Sequence, residues 1–216
     1  MTDFAVPPAA RPVIPVAGSS ALFPVRRIYC VGRNYAAHRA EMGGDDREPP
    51  FFFSKPPDAV VPPGGAVPYP SATENLHHEV ELVVALGESG EVFGYAVGVD
   101  LTRRDLQGAA IAKHQPWDAA KGFDHSAPIS AICPANGTPR GRISLSVNGE
   151  VRQDSTLANM IWNVEEILVE AAKLWRLEAG DLIFTGTPEG VGPLKPGDKV
   201  ECEVEGVGAL AFEVTP

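Results

Sequence analysis

The sequence predicts an α+β fold built on a strongly curved, largely antiparallel sheet. Two observations carry this. Short apolar runs bounded by Gly and Pro recur along the chain, while only three segments have helical character. Glycine and proline together make up about a fifth of 216 residues, which demands many turns. The length suits one domain, with residues 1–24 as an extended arm that becomes ordered near Phe23 and residues 25–216 as a single domain.

Each element follows from its residues. Segment 25–31 (VRRIYCV) is rich in β-branched and aromatic residues and reads as a strand. Asn34 can then cap a short helix, YAAHRAEM, which stops at Gly43–Gly44. Phe51–Phe53 form a second apolar strand, and 60–70 is turn-rich. Segment 77–86 (HHEVELVVAL) reads as one strand, Gly87–Gly90 as a hairpin turn and 93–100 as the returning strand. A helix over 101–112 follows, with Thr102 and Asp105 near a capping-box arrangement. Asn148–Gly149 between 143–147 and 151–153 is a strong hairpin signal. Asn163 and Glu166 cap the clearest helix, 164–175, whose apolar residues recur at helical spacing. Strand 182–184, a Gly/Thr/Pro loop and a hairpin-rich stretch over 199–214 complete the chain.

Composition narrows the function. A formal net charge of −10 offers no basic surplus for nucleic acid. No apolar run approaches the roughly 18 residues of a membrane span, and prolines interrupt any signal-type segment near the start, so a cytoplasmic protein is expected. Cys30, Cys133 and Cys202 are scattered, fit a reducing compartment, and form no local zinc pattern.

The informative constellation is Glu79-Val80-Glu81. On a strand both glutamates share a face, roughly 6.5–7 Å apart, at the edge of a segment apolar on both sides. Two partly desolvated like charges either raise one another's pKa or need a cation, and all-oxygen ligation favours Mg²⁺, Mn²⁺ or Ca²⁺ over zinc. The bland alternative is a solvated acidic face. Asp100, at the end of the returning strand, can reach the same cation, or can serve only as a turn residue before Thr102. His38 and Glu41 lie three residues apart on the expected helix, so they form either a histidine–carboxylate general-base pair or a surface contact. The loop 185–193 (TGTPEGVGP) offers two hydroxyls and close backbone approach, or is only a tight connection.

In this order, VGRNYAAHRAEM, FFFSKP, HHEVELVVAL, GYAVGVDLTRRDLQ, AKGFDHSAPI and GDLIFTGTPEGVGP resemble the fumarylacetoacetate hydrolase family over nearly the whole chain, most of all its acylpyruvate hydrolases. The resemblance implies a mixed β-roll, a homodimer, and Mg²⁺ (or Mn²⁺) held by Glu79, Glu81 and Asp100. It implies His38 and Glu41 as the water-activating pair and Lys121 as the active-site lysine. Arg104, Gln107 and Thr187 fall at substrate contacts, and Arg33 and Lys55 complete a locally positive substrate-binding set despite the net charge. The connection 87–93 is shorter than in many relatives.

The implied activity is metal-dependent hydrolysis of the C–C bond of a 2,4-dioxo acid, foremost fumarylpyruvate to fumarate and pyruvate in aromatic (gentisate) degradation. The partner would be a small 2-oxo or 2,4-dioxo acid. Oxaloacetate-type decarboxylation, hydroxydienoate isomerisation and a non-catalytic metal-binding role are the alternatives.

Overall fold

A computed structural model describes residues 4–35 and 48–216. The helix expected over residues 35–42, and with it His38 and Glu41, lies outside the described residues except for Tyr35.

Two large sheets dominate. The first has six strands in the order Cys133–Pro134, Val92–Val99, Val80–Leu86, Asp181–Phe184, Arg27–Gly32 and Phe51–Lys55. Its pairings are antiparallel except between Asp181–Phe184 and Arg27–Gly32, which run parallel. The second has five strands in the order Glu150–Thr156, Arg142–Val147, Lys199–Val204, Gly208–Thr215 and Val67–Pro68. The mixed α+β architecture is the one expected.

Strand Val80–Leu86 explains the layering. All seven residues are buried, so alternate side chains feed two separate cores. Leu82, Val84 and Leu86 join Ile143, Leu145, Val200, Val204 and Ile167 of the second sheet and the long helix. Val83 and Ala85 join Ile28, Cys30, Leu182 and Phe184 on the other face. Gly98 sits opposite Glu81 because any Cβ there would come within 2.6 Å of Phe184 and Val83.

Local expectations hold where the signal is short-range. Asn148 and Gly149 both take positive φ, 53° and 79°, which the tight hairpin turn requires. The helix Val164–Leu174 begins with a complete capping box: Glu166 N–H donates to the Asn163 side chain, and the Glu166 carboxylate accepts from Asn163 N–H.

Three expectations are corrected. The 101–112 helix starts at Arg104, because Thr102–Arg103 instead pairs as a short strand with Leu76–His78. Asp105 accepts from Thr73 Oγ1 and Glu74 N–H, so the Thr102–Asp105 capping box does not form. Segment 77–86 is broken at Glu79: Leu76–His78 leaves the large sheet and lies between Thr102–Arg103 and Gly192–Leu194.

The amino-terminal arm is ordered before Phe23. Val13–Pro15 pairs with Leu22–Pro24, and Ile14, Val16 and Phe23 are buried in the second core. The alternation of 13–16 puts Ile14 and Val16 on one face, and a proline is tolerated on an edge strand. Cys30 and Cys202 are buried, and all three cysteines are free.

Candidate metal centre

The strand break at Glu79 positions the site. Asp100 N–H donates to the Glu79 backbone oxygen at 2.8 Å, which closes the Val80–Leu86 and Val92–Val99 ladder at that end. One carboxylate oxygen each from Glu79, Glu81 and Asp100 then lie within 4.8 Å of one another, and all three residues are buried.

Each carboxylate has a different electrostatic setting. Burial alone would raise the Glu79 pKa, but Lys121 and Arg104 prevail and hold it well below the usual carboxylate range. Lys121 Nζ donates to Glu79 Oε2 at 2.8 Å, and Arg104 Nη2 donates to Oε1. Among the described residues, Glu81 has only the Gly186 N–H as hydrogen-bond partner, 2.7 Å from Oε2. Its burial, with Asp100 and Glu79 as like-charged neighbours, pushes its carboxyl well above the ordinary value. Asp100 is fully buried; its Oδ2 accepts from Lys121 Nζ at 2.6 Å. Its Oδ1 lies 2.8 Å from Lys55 Nζ but outside hydrogen-bond geometry.

Lys121 is encircled by acceptors. Its third donor goes to Thr102 Oγ1 at 2.7 Å, and Asp100 and Glu79 overcome the lowering effect of burial to raise its pKa. Arg104 is fixed from three sides: Glu79, Gln107 Oε1 at 2.6 Å, and His77 Nδ1, which accepts from Nε at 3.4 Å. Burial first, and then Arg104, lower His77 to about 4.

One cavity collects most of the expected residues. Glu79, Glu81, Asp100, Lys121, Arg33, Arg104, Gln107 and Thr187 all line it, with Phe53 and Trp117 as aromatic wall. Arg33 reaches it from a left-handed backbone position at φ 60°. Of the residues expected at substrate, Lys55 does not line this cavity. It is 2% exposed, stands behind Asp100, and donates to the backbone oxygens of Leu101, at 3.2 Å, and Lys121. Its chain rises from the end of the edge strand Phe51–Lys55, and the ammonium meets Asp100 from the buried side.

The sequence also offered no sign of Gln153, which links the Thr187 loop to Val80. Its burial shows only in the fold, and its partners are far away in the chain.

The donor set fits a hard divalent ion. Among the described residues, Asp100 Oδ1 has no hydrogen bond and the Glu81 carboxyl has no cationic hydrogen-bond partner, and both are groups that a cation would satisfy. Fold and site together define an α+β domain with an all-carboxylate centre for a divalent metal beside a lysine and an arginine.

The chain belongs to the fumarylacetoacetate hydrolase family: the family described as "Fumarylacetoacetate (FAA) hydrolase C-terminal" matches residues 27–215. It is 42% identical to a fumarylpyruvate hydrolase of Ralstonia sp over 165 residues, covering 71% of this chain and 86% of the relative. It is 43% identical to a mitochondrial oxaloacetate tautomerase of Mus musculus over 202 residues, covering 88% and 91% respectively. Among solved structures it resembles fumarylpyruvate hydrolase from Pseudomonas aeruginosa in complex with Mn²⁺ and pyruvate, with a TM-score of 0.94, 46% identity and 99% of each chain covered.

Proposed function

We propose that the protein hydrolyses an acylpyruvate, with fumarylpyruvate as the leading substrate and fumarate and pyruvate as products. The observation that carries this reading is the single cavity in which Glu79, Glu81 and Asp100 converge beside Lys121, Arg104, Gln107 and Thr187. Its likeness to a protein bound to Mn²⁺ and pyruvate supports the same reading. Glu79, Glu81 and Asp100 would hold Mg²⁺ or Mn²⁺, both of which suit carboxylate oxygens. When bound, the ion supplies Lewis acidity and fixed positive charge at the 2-oxo acid end of the substrate.

The chain's own groups divide the remaining work. Arg104 and Gln107 form a braced donor pair on the cavity wall and orient the substrate's carboxylate. By the motif they occupy, His38 with Glu41 takes the proton of the attacking water. The hydroxyl joins the acyl carbon C4, the C3–C4 bond breaks, and the remaining hydrogen ends on C3 of pyruvate. Lys121 is the charged donor shared by Glu79 and Asp100. On release of one of its hydrogen bonds it meets the oxygen that gains charge.

The test is pyruvate release from fumarylpyruvate, coupled to lactate dehydrogenase, after chelation and after restoring Mg²⁺ or Mn²⁺. Turnover that needs the ion supports the proposal; no metal-dependent turnover on any acylpyruvate rejects it. Interconversion of oxaloacetate tautomers is the second reading, favoured by 43% identity to the tautomerase over 91% of its length. Oxaloacetate followed in the same preparations separates the two. A homodimer in the cytoplasm completes the proposal, and sedimentation measures the assembly. No described helix is long and apolar enough to cross a membrane.

A further inference from the structure

Gln153 is fully buried on strand Glu150–Thr156; it is not itself one of the residues that line the cavity, and it reaches the cavity only through Thr187. Its amide orientation is fixed by its partners. Val80 N–H donates to Oε1 at 3.1 Å, so that atom is the oxygen. The amide nitrogen then donates one hydrogen to the Pro188 backbone oxygen at 2.9 Å and the other to Thr187 Oγ1 at 2.8 Å. His78 Nδ1, 3.0 Å from Oε1, must therefore carry a hydrogen.

The consequence falls on Thr187. Its hydroxyl oxygen accepts from Gln153, and no described residue accepts its own hydrogen. Thr187 is 4% exposed and lines the cavity, so that hydrogen is left for whatever occupies it. A second observation shows the loop clamped at the same place. A Cβ on Gly190 would lie 2.1 Å from the Arg152 backbone oxygen, so the loop after Thr187 packs directly on the strand that carries Gln153.

We infer that Gln153 is a positioning residue that sets the Thr187 hydroxyl as a hydrogen-bond donor to an anionic oxygen of the bound 2-oxo acid. The inference rests on the functional reading above. It assigns the direction of one hydrogen bond, and therefore predicts coupling between two residues rather than a loss at either one.

The test is a double-mutant cycle read by calorimetry, with pyruvate as probe and the full chain saturated with Mn²⁺. Thr187→Val should weaken pyruvate by roughly tenfold or more, the usual scale for a hydrogen bond to a charged group. Gln153→Met should weaken it comparably, and the double variant should be no weaker than Thr187→Val alone. Gln153→Glu keeps the size and the acceptor for Val80 but cannot donate when ionised. It should fail to bind pyruvate normally even where Gln153→Met does not fold. Mn²⁺ affinity should stay at the wild-type value throughout.

Losses that multiply in the double variant, normal pyruvate affinity in Gln153→Glu or Thr187→Val, or a parallel loss of Mn²⁺ would overturn the inference. Wild-type protein that binds Mn²⁺ but no pyruvate, or neither, would instead remove the functional reading, and this inference with it.

Discussion

Lys55→Met is the substitution that best separates two roles for one side chain. Lys55 and Asp100 are both fully buried at the side chain and 2.8 Å apart. Methionine fills a similar volume and removes only the charge and the donors. Breaking a buried pair by deleting one partner costs about 3–5 kcal/mol, because the remaining charge stays desolvated. For a domain of this size each kcal/mol shifts the melting midpoint by about 2–4 °C, so the chelated variant should melt about 6–20 °C lower than wild type. Added Mn²⁺ should recover part of the loss, since ligand at a hundred times its Kd stabilises by about 2.7 kcal/mol. It should also raise the midpoint more in the variant than in wild type, because Asp100 Oδ1 has lost its competing cation.

The assay is thermal unfolding by circular dichroism in chelator and in Mn²⁺, with pyruvate affinity measured beside it. A midpoint in chelator within about 3 °C of wild type would refute the reasoning, since less than about 1 kcal/mol would then attach to the pair. A stable variant that has lost pyruvate affinity would return Lys55 to the substrate-binding set.

Four further outcomes follow from the same geometry. Burial, with Asp100 and Glu79 beside it, raises the Glu81 carboxyl well above its ordinary value, so below that raised value Mn²⁺ must displace a proton; its affinity should rise with pH by up to about tenfold per unit, measured by calorimetry, and a profile flat at every pH where the chain stays folded counts against it. In chelator the same raised acid gives stability that is present below the ordinary carboxylate range and is lost as pH climbs through the folded-state value. His77 moves oppositely: its folded pKa of about 4 lies below the ordinary 6.5, so its contribution is present above 6.5 and is lost as pH falls toward 4, and denaturant midpoints of His77→Gln should be flatter than wild type across that window. Gly190→Ala puts a Cβ against the Arg152 oxygen at φ 89°, so it should lower the melting midpoint and weaken pyruvate together; a silent variant would show that the loop is not clamped there.

Much of the site was legible because its signals are local. Alternation places Glu79 and Glu81 on one side, a short turn brings Asp100 back beside them, and a capping box marks the long helix without any tertiary knowledge. What escaped was set by distant partners. Segment 77–86 alternates over its first half and is continuously apolar in its second, and nothing in that pattern marks the break at Glu79, where Gly192–Leu194 draws Leu76–His78 into another sheet. Lys55 reads as a free cation after an aromatic strand, and only the position of Asp100 behind the cavity wall shows where its charge goes. The proline-rich arm reads as unstructured, but Ile14 and Val16 find a core face that the chain builds from strands far downstream.

The three acids are therefore not equivalent. Glu79 is paired with Lys121 and Arg104, which hold it as an anion, and Asp100 is ion-paired with Lys121 and Lys55. Glu81 has one backbone N–H and two negative neighbours. A domain selected only for stability would gain by replacing such a buried cluster with apolar side chains. The cost is confined to one end of a strand whose remaining residues are all apolar, at the point where the cavity opens. The arrangement makes sense for a centre in which two carboxylates are held ready and the third changes its protonation with the arrival of a cation. On that view Glu81→Gln, uncharged at every pH, should abolish the pH dependence of Mn²⁺ affinity while leaving the folded chain at least as stable in chelator as wild type. A variant that keeps the wild-type pH profile would move the titrating group elsewhere in the cluster.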